Sequence, residues 1–169
     1  MYRVYLGLGS NVNDRLKFLR KALEEIRILA TIHSISSIYE TEPVGMSSTE
    51  LFYNMALSID TDDRPPELLK KLKTIEKKIG RKQTGRMRDR EIDIDILLYR
   101  GWSYEDGAII VPHPELEHRR FALEPLSEID PTAIHPTLGK TIATLLRQCH
   151  DQSRVLRTSH TINLTNGNE

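Results

Sequence analysis

Residues 91–99, EIDIDILLY, alternate with period two. That period belongs to a strand with one face in a core and the other outside it. It puts Ile92, Ile94 and Ile96 on the inner face and Asp93 and Asp95 together on the other. A strand needs partners, and the rest of the chain offers them. Residues 2–8 are a short run rich in aromatic and β-branched side chains that meets Gly7, Gly9 and Ser10, which predicts a strand entering a turn. Asn13 or Asp14 caps the helix that follows, in which Leu16, Leu19, Leu23, Ile26 and Leu29 recur at spacings of three and four. Residues 32–39 are β-rich, and the loop ETEPVGMSSTE separates them from a second β-like run over 51–59. Pro65 and Pro66 open another helix, with Leu68, Leu69, Leu72, Ile75 and Ile79 as its apolar stripe and Gly80 as its stop.

The order β-α-β-β-α-β predicts an α+β, ferredoxin-like fold, a mainly antiparallel sheet with two helices packed on one face. Beyond it, residues 109–111 predict a short strand. Pro112, Pro114, Pro125, Pro131 and Pro136 mark loops and short helices, and residues 141–149 predict a last helix in a C-terminal helical extension. The expectation is one domain over residues 1–150 and a polar, fraying tail over 151–169. A length of 169 residues suits one such domain.

Charge and cysteine content narrow the function. Lys plus Arg is 24 and Asp plus Glu is 24, so no whole-molecule field draws the chain to nucleic acid or to an acidic membrane, and any phosphate binding must come from a local patch. Cys149 is the single cysteine, which excludes an intramolecular disulfide framework and a cysteine metal cluster. The N-terminus carries no signal-peptide pattern, and no apolar run approaches the ~20 residues of a membrane span. The expected compartment is the cytoplasm.

Two features carry chemistry. Asp93 and Asp95 share a strand face at about 6.6 Å along the axis. Two carboxylates so placed repel, and a divalent cation between them relieves the conflict, whereas pairing with nearby arginines is the plain alternative. The basic loop just before them holds Arg81, Lys82, Arg86, Arg88 and Arg90. Acids for a metal beside guanidinium groups for phosphate oxygens are what a polyphosphate site needs, and a solvated loop or an RNA-backbone contact are the alternatives. His113, Arg119 and Arg120 offer further donors. GLGSN lacks the third glycine of a dinucleotide fingerprint and the Gly-Lys-Ser/Thr of a P-loop, so it reads as a tight turn. No nucleophilic triad emerges.

LGLGSN, YETEPVG at 39–45, FYN at 52–54, REIDIDILL at 90–98 and VPHPELEHRRFALEPLSEI at 111–129 together resemble the 6-hydroxymethyl-7,8-dihydropterin pyrophosphokinase family, in family order over residues 4–149. The resemblance implies transfer of pyrophosphate from ATP to the pterin hydroxymethyl oxygen for folate biosynthesis. It implies two Mg²⁺ ions on Asp93 and Asp95, and catalytic roles for those two with Arg81 and Arg90. It implies a pterin site of Thr41, Val44, Phe52, Asn54 and Phe121, with the two rings as a sandwich. It implies an ATP site of Glu76, Arg81, Arg90, Ile96, His113 and Arg119, and the next folate-pathway enzyme as a candidate partner. Arg88 and Asp89 stand where the family has a small residue and Pro, and Met87 where an aromatic is frequent. The loops over 43–50 and 81–90 are expected to close over the substrates. The rival readings are a nucleic-acid-binding ferredoxin-like module, another two-metal nucleotide enzyme, and an inactive relative.

Overall fold

The structure is a computed structural model that describes residues 1–80 and 89–164. Its main sheet has six strands in the order β5-β1-β4-β3-β8, with β2 also beside β4. These are β1 (Tyr2–Ser10), β2 (Thr31–Ile35), β3 (Tyr39–Thr41), β4 (Phe52–Thr61), β5 (Asp93–Tyr99) and β8 (Val155–Arg157). All of the pairings are antiparallel. Helices α1 (Arg15–Leu29) and α2 (Pro65–Ile79) follow β1 and β4, which completes the predicted ferredoxin-like order. Asp14 caps α1 by accepting from the Lys17 N–H at 3.1 Å. Gly80 ends α2 with φ +118°, a left-handed conformation open to glycine.

Alternation sorts the sheet into two faces. Val4, Leu6 and Leu8 of β1, Met55, Leu57 and Ile59 of β4, and Ile94 and Ile96 of β5 are buried against Leu19, Leu23 and Ile26 of α1 and Leu68, Leu72 and Ile75 of α2. Each such side chain contributes about 1.5–3 kcal/mol on burial. On the other face, Tyr5, Ala56, Leu97 and Leu98 pack under α3 (Arg120–Ile129) and α4 (Ile142–Gln148) through Leu123, Leu126, Ile142 and Leu145. The C-terminal helices therefore form a third layer. They lie over the face around Tyr5 and Leu98 as far as Ala56, and beside Gly7 and Gly9 the same face carries Asp95, Asp93 and Asn54.

Three elements depart from the sequence expectation. The single strand predicted over 32–39 is two strands, because Ser36 and Ser37 divert the backbone. The Ser36 hydroxyl accepts from the Ala56 N–H at 2.8 Å and donates to the Ser37 carbonyl at 2.7 Å, while the Ser37 N–H turns to Glu128 at 3.0 Å. The strand at Ile110–Val111 (β7) pairs with Tyr104–Glu105 (β6), which has too few residues to show a period. The closing segment does not fray over 154–164. It adds β8 to the edge of β3 and buries Ile162 in the core cluster to which α1 and α2 contribute. Among the described residues no helix is long and apolar enough to cross a membrane.

Candidate active site

Strand β1 lies between β4 and β5, so its register sets neighbours on both sides. Asn54, Gly9 and Asp93 lie side by side on one rung, and Ala56, Gly7 and Asp95 on the next rung of the same face. Two inter-strand spacings separate Asn54 from Asp93, about 10 Å of backbone. The glycine between them is required: a Cβ on Gly9 would stand 2.5 Å from the Asn54 Oδ1. The Asn54 amide lies across that gap, and its Nδ2 donates to the Thr41 Oγ1 at 2.7 Å, both residues buried. Thr41 is opposite Phe52 in the β3–β4 ladder, so Thr41, Phe52 and Asn54 form one corner of the site.

The acids form the other corner. The Asp95 carboxyl is pushed well above the usual carboxylate range, first by burial and then by the neighbouring charge of Asp93, with Glu76 adding and Lys73 and Arg119 opposing. Asp93 is paired: Arg90 Nη1 donates to its Oδ2 at 3.0 Å. Arg90 is itself held by Asn11. The Arg90 N–H donates to Asn11 Oδ1 at 2.7 Å, the Asn11 N–H returns to the Arg90 carbonyl at 3.2 Å, and Asn11 Nδ2 donates to Asp89 at 2.8 Å. Each aromatic ring expected at the pterin carries a guanidinium, Arg90 at 6.0 Å from the Phe52 centroid and Arg119 at 5.7 Å from that of Phe121.

Glu76 is buried in α2 and accepts from the Ile94 N–H at 2.8 Å and from Lys73 at 3.1 Å. It thereby satisfies an outward donor of β5, the edge strand. Ile96 turns its side chain into the core below, so only its main chain is available on the polar side. The His113 N–H donates to the Leu97 carbonyl at 2.8 Å, and its Nδ1 accepts from the Glu115 N–H at 3.1 Å, which assigns the proton of the neutral ring to Nε2. Val44 is exposed in the loop between β3 and β4. Arg81 lies outside the described residues, as do Lys82, Arg86, Met87 and Arg88.

Four positioning residues escaped the sequence reading. Asn11 sits in the GLGSN turn, whose glycines drew the attention. Lys73 falls three residues before Glu76, a spacing that could have marked it. Arg15 stacks 3.6 Å over the Tyr53 centroid, donates to the Leu51 carbonyl at 2.9 Å and pairs with Glu40 at 3.1 Å. Asp151 accepts from the Arg120 N–H at 3.0 Å and so caps the start of α3. Neither of the last two has a local signal.

A ferredoxin-like α+β sheet that brings a carboxylate pair, guanidinium groups and a buried amide to one polar half-face has the parts that a phosphate-handling enzyme needs. The comparisons make this specific. The family profile of 7,8-dihydro-6-hydroxymethylpterin-pyrophosphokinase (HPPK) matches residues 5–131. The 2-amino-4-hydroxy-6-hydroxymethyldihydropteridine pyrophosphokinase of Aquifex aeolicus is 44% identical over 142 residues, 84% of this chain and 89% of that one. Its namesake in Bacillus subtilis is 43% identical over 127 residues, 74% of this chain and 76% of the relative. A crystal structure of Plasmodium falciparum HPPK-DHPS superposes with a TM-score of 0.73 at 18% identity, over 87% of this chain and 45% of that one, a likeness of fold. The chain belongs to the 7,8-dihydro-6-hydroxymethylpterin-pyrophosphokinase family.

Proposed function

We propose that the residues on these two rungs carry the family reaction. The chain is an ATP-dependent diphosphotransferase: it moves pyrophosphate from ATP to 6-hydroxymethyl-7,8-dihydropterin in folate biosynthesis. The observation that supports the residue roles is the pair of rungs itself. A buried amide suited to a heterocycle edge and two acids suited to a triphosphate share one sheet face, with Gly7 and Gly9 between them.

Phe52 and Phe121 stack on the pterin, each ring contact contributing on the order of 1 kcal/mol beyond area burial. Thr41 fixes the Asn54 amide, whose second Nδ2 proton and Oδ1 read the ring edge. Arg90, Arg119 and the His113 Nε2–H donate to phosphate oxygens, and Arg81 is proposed to join them. The pterin hydroxymethyl oxygen attacks the β-phosphorus as the bond to the α-phosphate oxygen breaks, so AMP leaves. Orientation and electrostatics supply most of the rate.

The acids fit a hard divalent cation. Asp95 is held at a cost beside Asp93, and a cation relieves that cost. Among the described residues no cluster of three or more His, Cys, Asp or Glu forms. Asp93 and Asp95 would hold two Mg²⁺ ions together with phosphate oxygens and water, and the metal supplies charge neutralisation on the triphosphate. The test is AMP release with ATP, Mg²⁺ and the reduced hydroxymethylpterin. Pterin-dependent AMP in the native chain and none in Asp95→Ala is the expected result, and full turnover in Asp95→Ala overturns these roles.

The fused HPPK-DHPS chains support a second reading, that this chain works beside the next folate-pathway enzyme. Co-purification of the two from cell extract is expected, and independent migration at working concentrations counts against it. We place the reaction in the cytoplasm, a reading supported by the lone, buried Cys149.

A further inference from the structure

The two walls of the pterin site come from distant parts of the chain, and one short segment touches both. Phe121 is the second residue of α3, and the N–H before it, that of Arg120, donates to Asp151 at 3.0 Å. Asp151 is made rigid in turn, accepting from the Ser153 N–H at 2.9 Å. Burial alone would raise its pKa. The N–H groups of Ser153 and Arg120, with the Arg120 charge, outweigh that and hold it below the usual range, so it caps as a carboxylate.

Four residues on, β8 begins and pairs with β3, Thr41 opposite Val155 and Glu40 opposite Leu156. The Glu42 N–H donates to the Arg154 carbonyl at 3.2 Å, and the Arg154 N–H to the Glu42 carboxylate at 3.1 Å. At the other end, the Thr158 N–H and hydroxyl both donate to the Ile38 carbonyl at 2.9 Å. Hydrogen-bonded pairs alternate in an antiparallel ladder, so the Leu156 N–H and carbonyl bond Glu40. Arg157 adds a contact at 3.6 Å to Glu128 of α3. Without β8, β3 would be a three-residue edge strand carrying Thr41. Four residues of chain span at most about 14 Å, so the segment limits how far the Phe121 wall can move from the Thr41 wall.

We propose that residues 151–158 are a positioning strap for the pterin site, fixing the spacing between Phe121 on one side and Thr41 with Asn54 on the other. The strap lies beyond residue 131, where the match to the family profile ends. It also extends the working unit past the boundary expected at residue 150. The inference rests on the pterin roles proposed above for Asn54, Thr41 and Phe121.

The decisive experiment titrates pterin and a non-hydrolysable ATP analogue separately into variants that melt above the assay temperature, and pairs this with steady-state kinetics. Leu156→Pro removes the N–H aimed at Glu40, and the side chain it replaces is exposed, so Leu156→Ala serves as the control. Leu156→Pro is expected to raise pterin KM and Kd about tenfold, with kcat and nucleotide affinity within about twofold. Asp151→Ala should do the same through the other wall. Asp151→Asn, which keeps an acceptor for the Arg120 N–H, should restore pterin binding. A purely structural role would lower melting temperature and active fraction but leave both affinities in proportion. Should Leu156→Pro not fold, the Arg157→Ala/Thr158→Val double variant carries the same test on the β3 side. Unchanged pterin affinity in the folded strap variants, or equal losses for both ligands, overturns the strap. Asn54→Ala separates the two levels: if it leaves pterin binding unaltered, the pterin reading fails, whereas if it weakens binding and the strap variants do not, only the strap fails.

Discussion

One sheet face holds carboxylates under opposite regimes. In the half covered by α3, the Tyr5 hydroxyl donates to Asp130, and the Tyr39 hydroxyl and the Ser37 N–H and hydroxyl donate to Glu128. Burial would raise both acids, but these donors outweigh it and hold both below the usual range. In the half around Gly7 and Gly9, Asp95 has no such cradle. Burial and Asp93 push it upward. The first half is satisfied internally and stabilises the fold. The second concentrates negative charge at Asp93 and Asp95, the electrostatic pattern of a functional site.

The largest expected effect tests that contrast directly. Asp95→Asn should lower turnover by about a thousandfold or more in a pterin-dependent AMP assay. The same change should not destabilise the ligand-free fold at neutral pH. A raised folded pKa means that the protonated form suits the fold: its stabilisation is present at low pH and is lost as pH rises through the folded value. Removing the charge should therefore hold or raise the melting temperature at pH 7.5, and a clear drop would break the contrast.

Core changes in the covered half should show the reverse. Leu123→Ala should cost about 2–5 kcal/mol in denaturant unfolding, with both KM values little changed in the folded fraction. Of intermediate size, Asn54→Ala should weaken pterin binding about 10–100-fold, because the ring edge loses its buried partner, while calorimetry finds nucleotide binding nearly intact. The smallest effect is at Glu128. Glu128→Gln should cost about 1 kcal/mol at pH 7. A depressed folded pKa makes that stabilisation present above the unfolded value, about 4.3, and lost as pH falls through the folded one. The stability difference between Glu128→Gln and the native chain should therefore shrink on acidification below pH 4, and a constant difference down to pH 2 would assign it to packing instead.

The site was only partly readable from the chain. The Asp93–Asp95 face followed from period two, and the pterin roles proposed for Asn54, Phe52 and Phe121 followed from resemblance. The Arg90–Asp93 pair is the arginine pairing that stood as the alternative for that face, whereas Asn11 fixing Arg90 from 79 residues away did not follow from the sequence. Nor did the break at Ser36–Ser37, because two serines inside a β-rich run leave the period nearly intact until Glu128 and Ala56 compete for their hydrogen bonds. The strap shows the limit best: Arg154 meets Glu42 across 112 residues and Thr158 meets Ile38 across 120.

Local pattern alone determined β1, β4, β5 and the helices α1 and α2, which side of the β5 strand carries its acids, and the ferredoxin-like order, because side-chain period and capping act within a few residues. Tertiary structure alone decided that α3 and α4 cover half of the second face, that Glu76 satisfies the edge of β5, and that the closing segment joins β3. Such contacts depend on which exposed backbone edges and buried carboxylates meet once the sheet exists, and no spacing within either partner encodes the other.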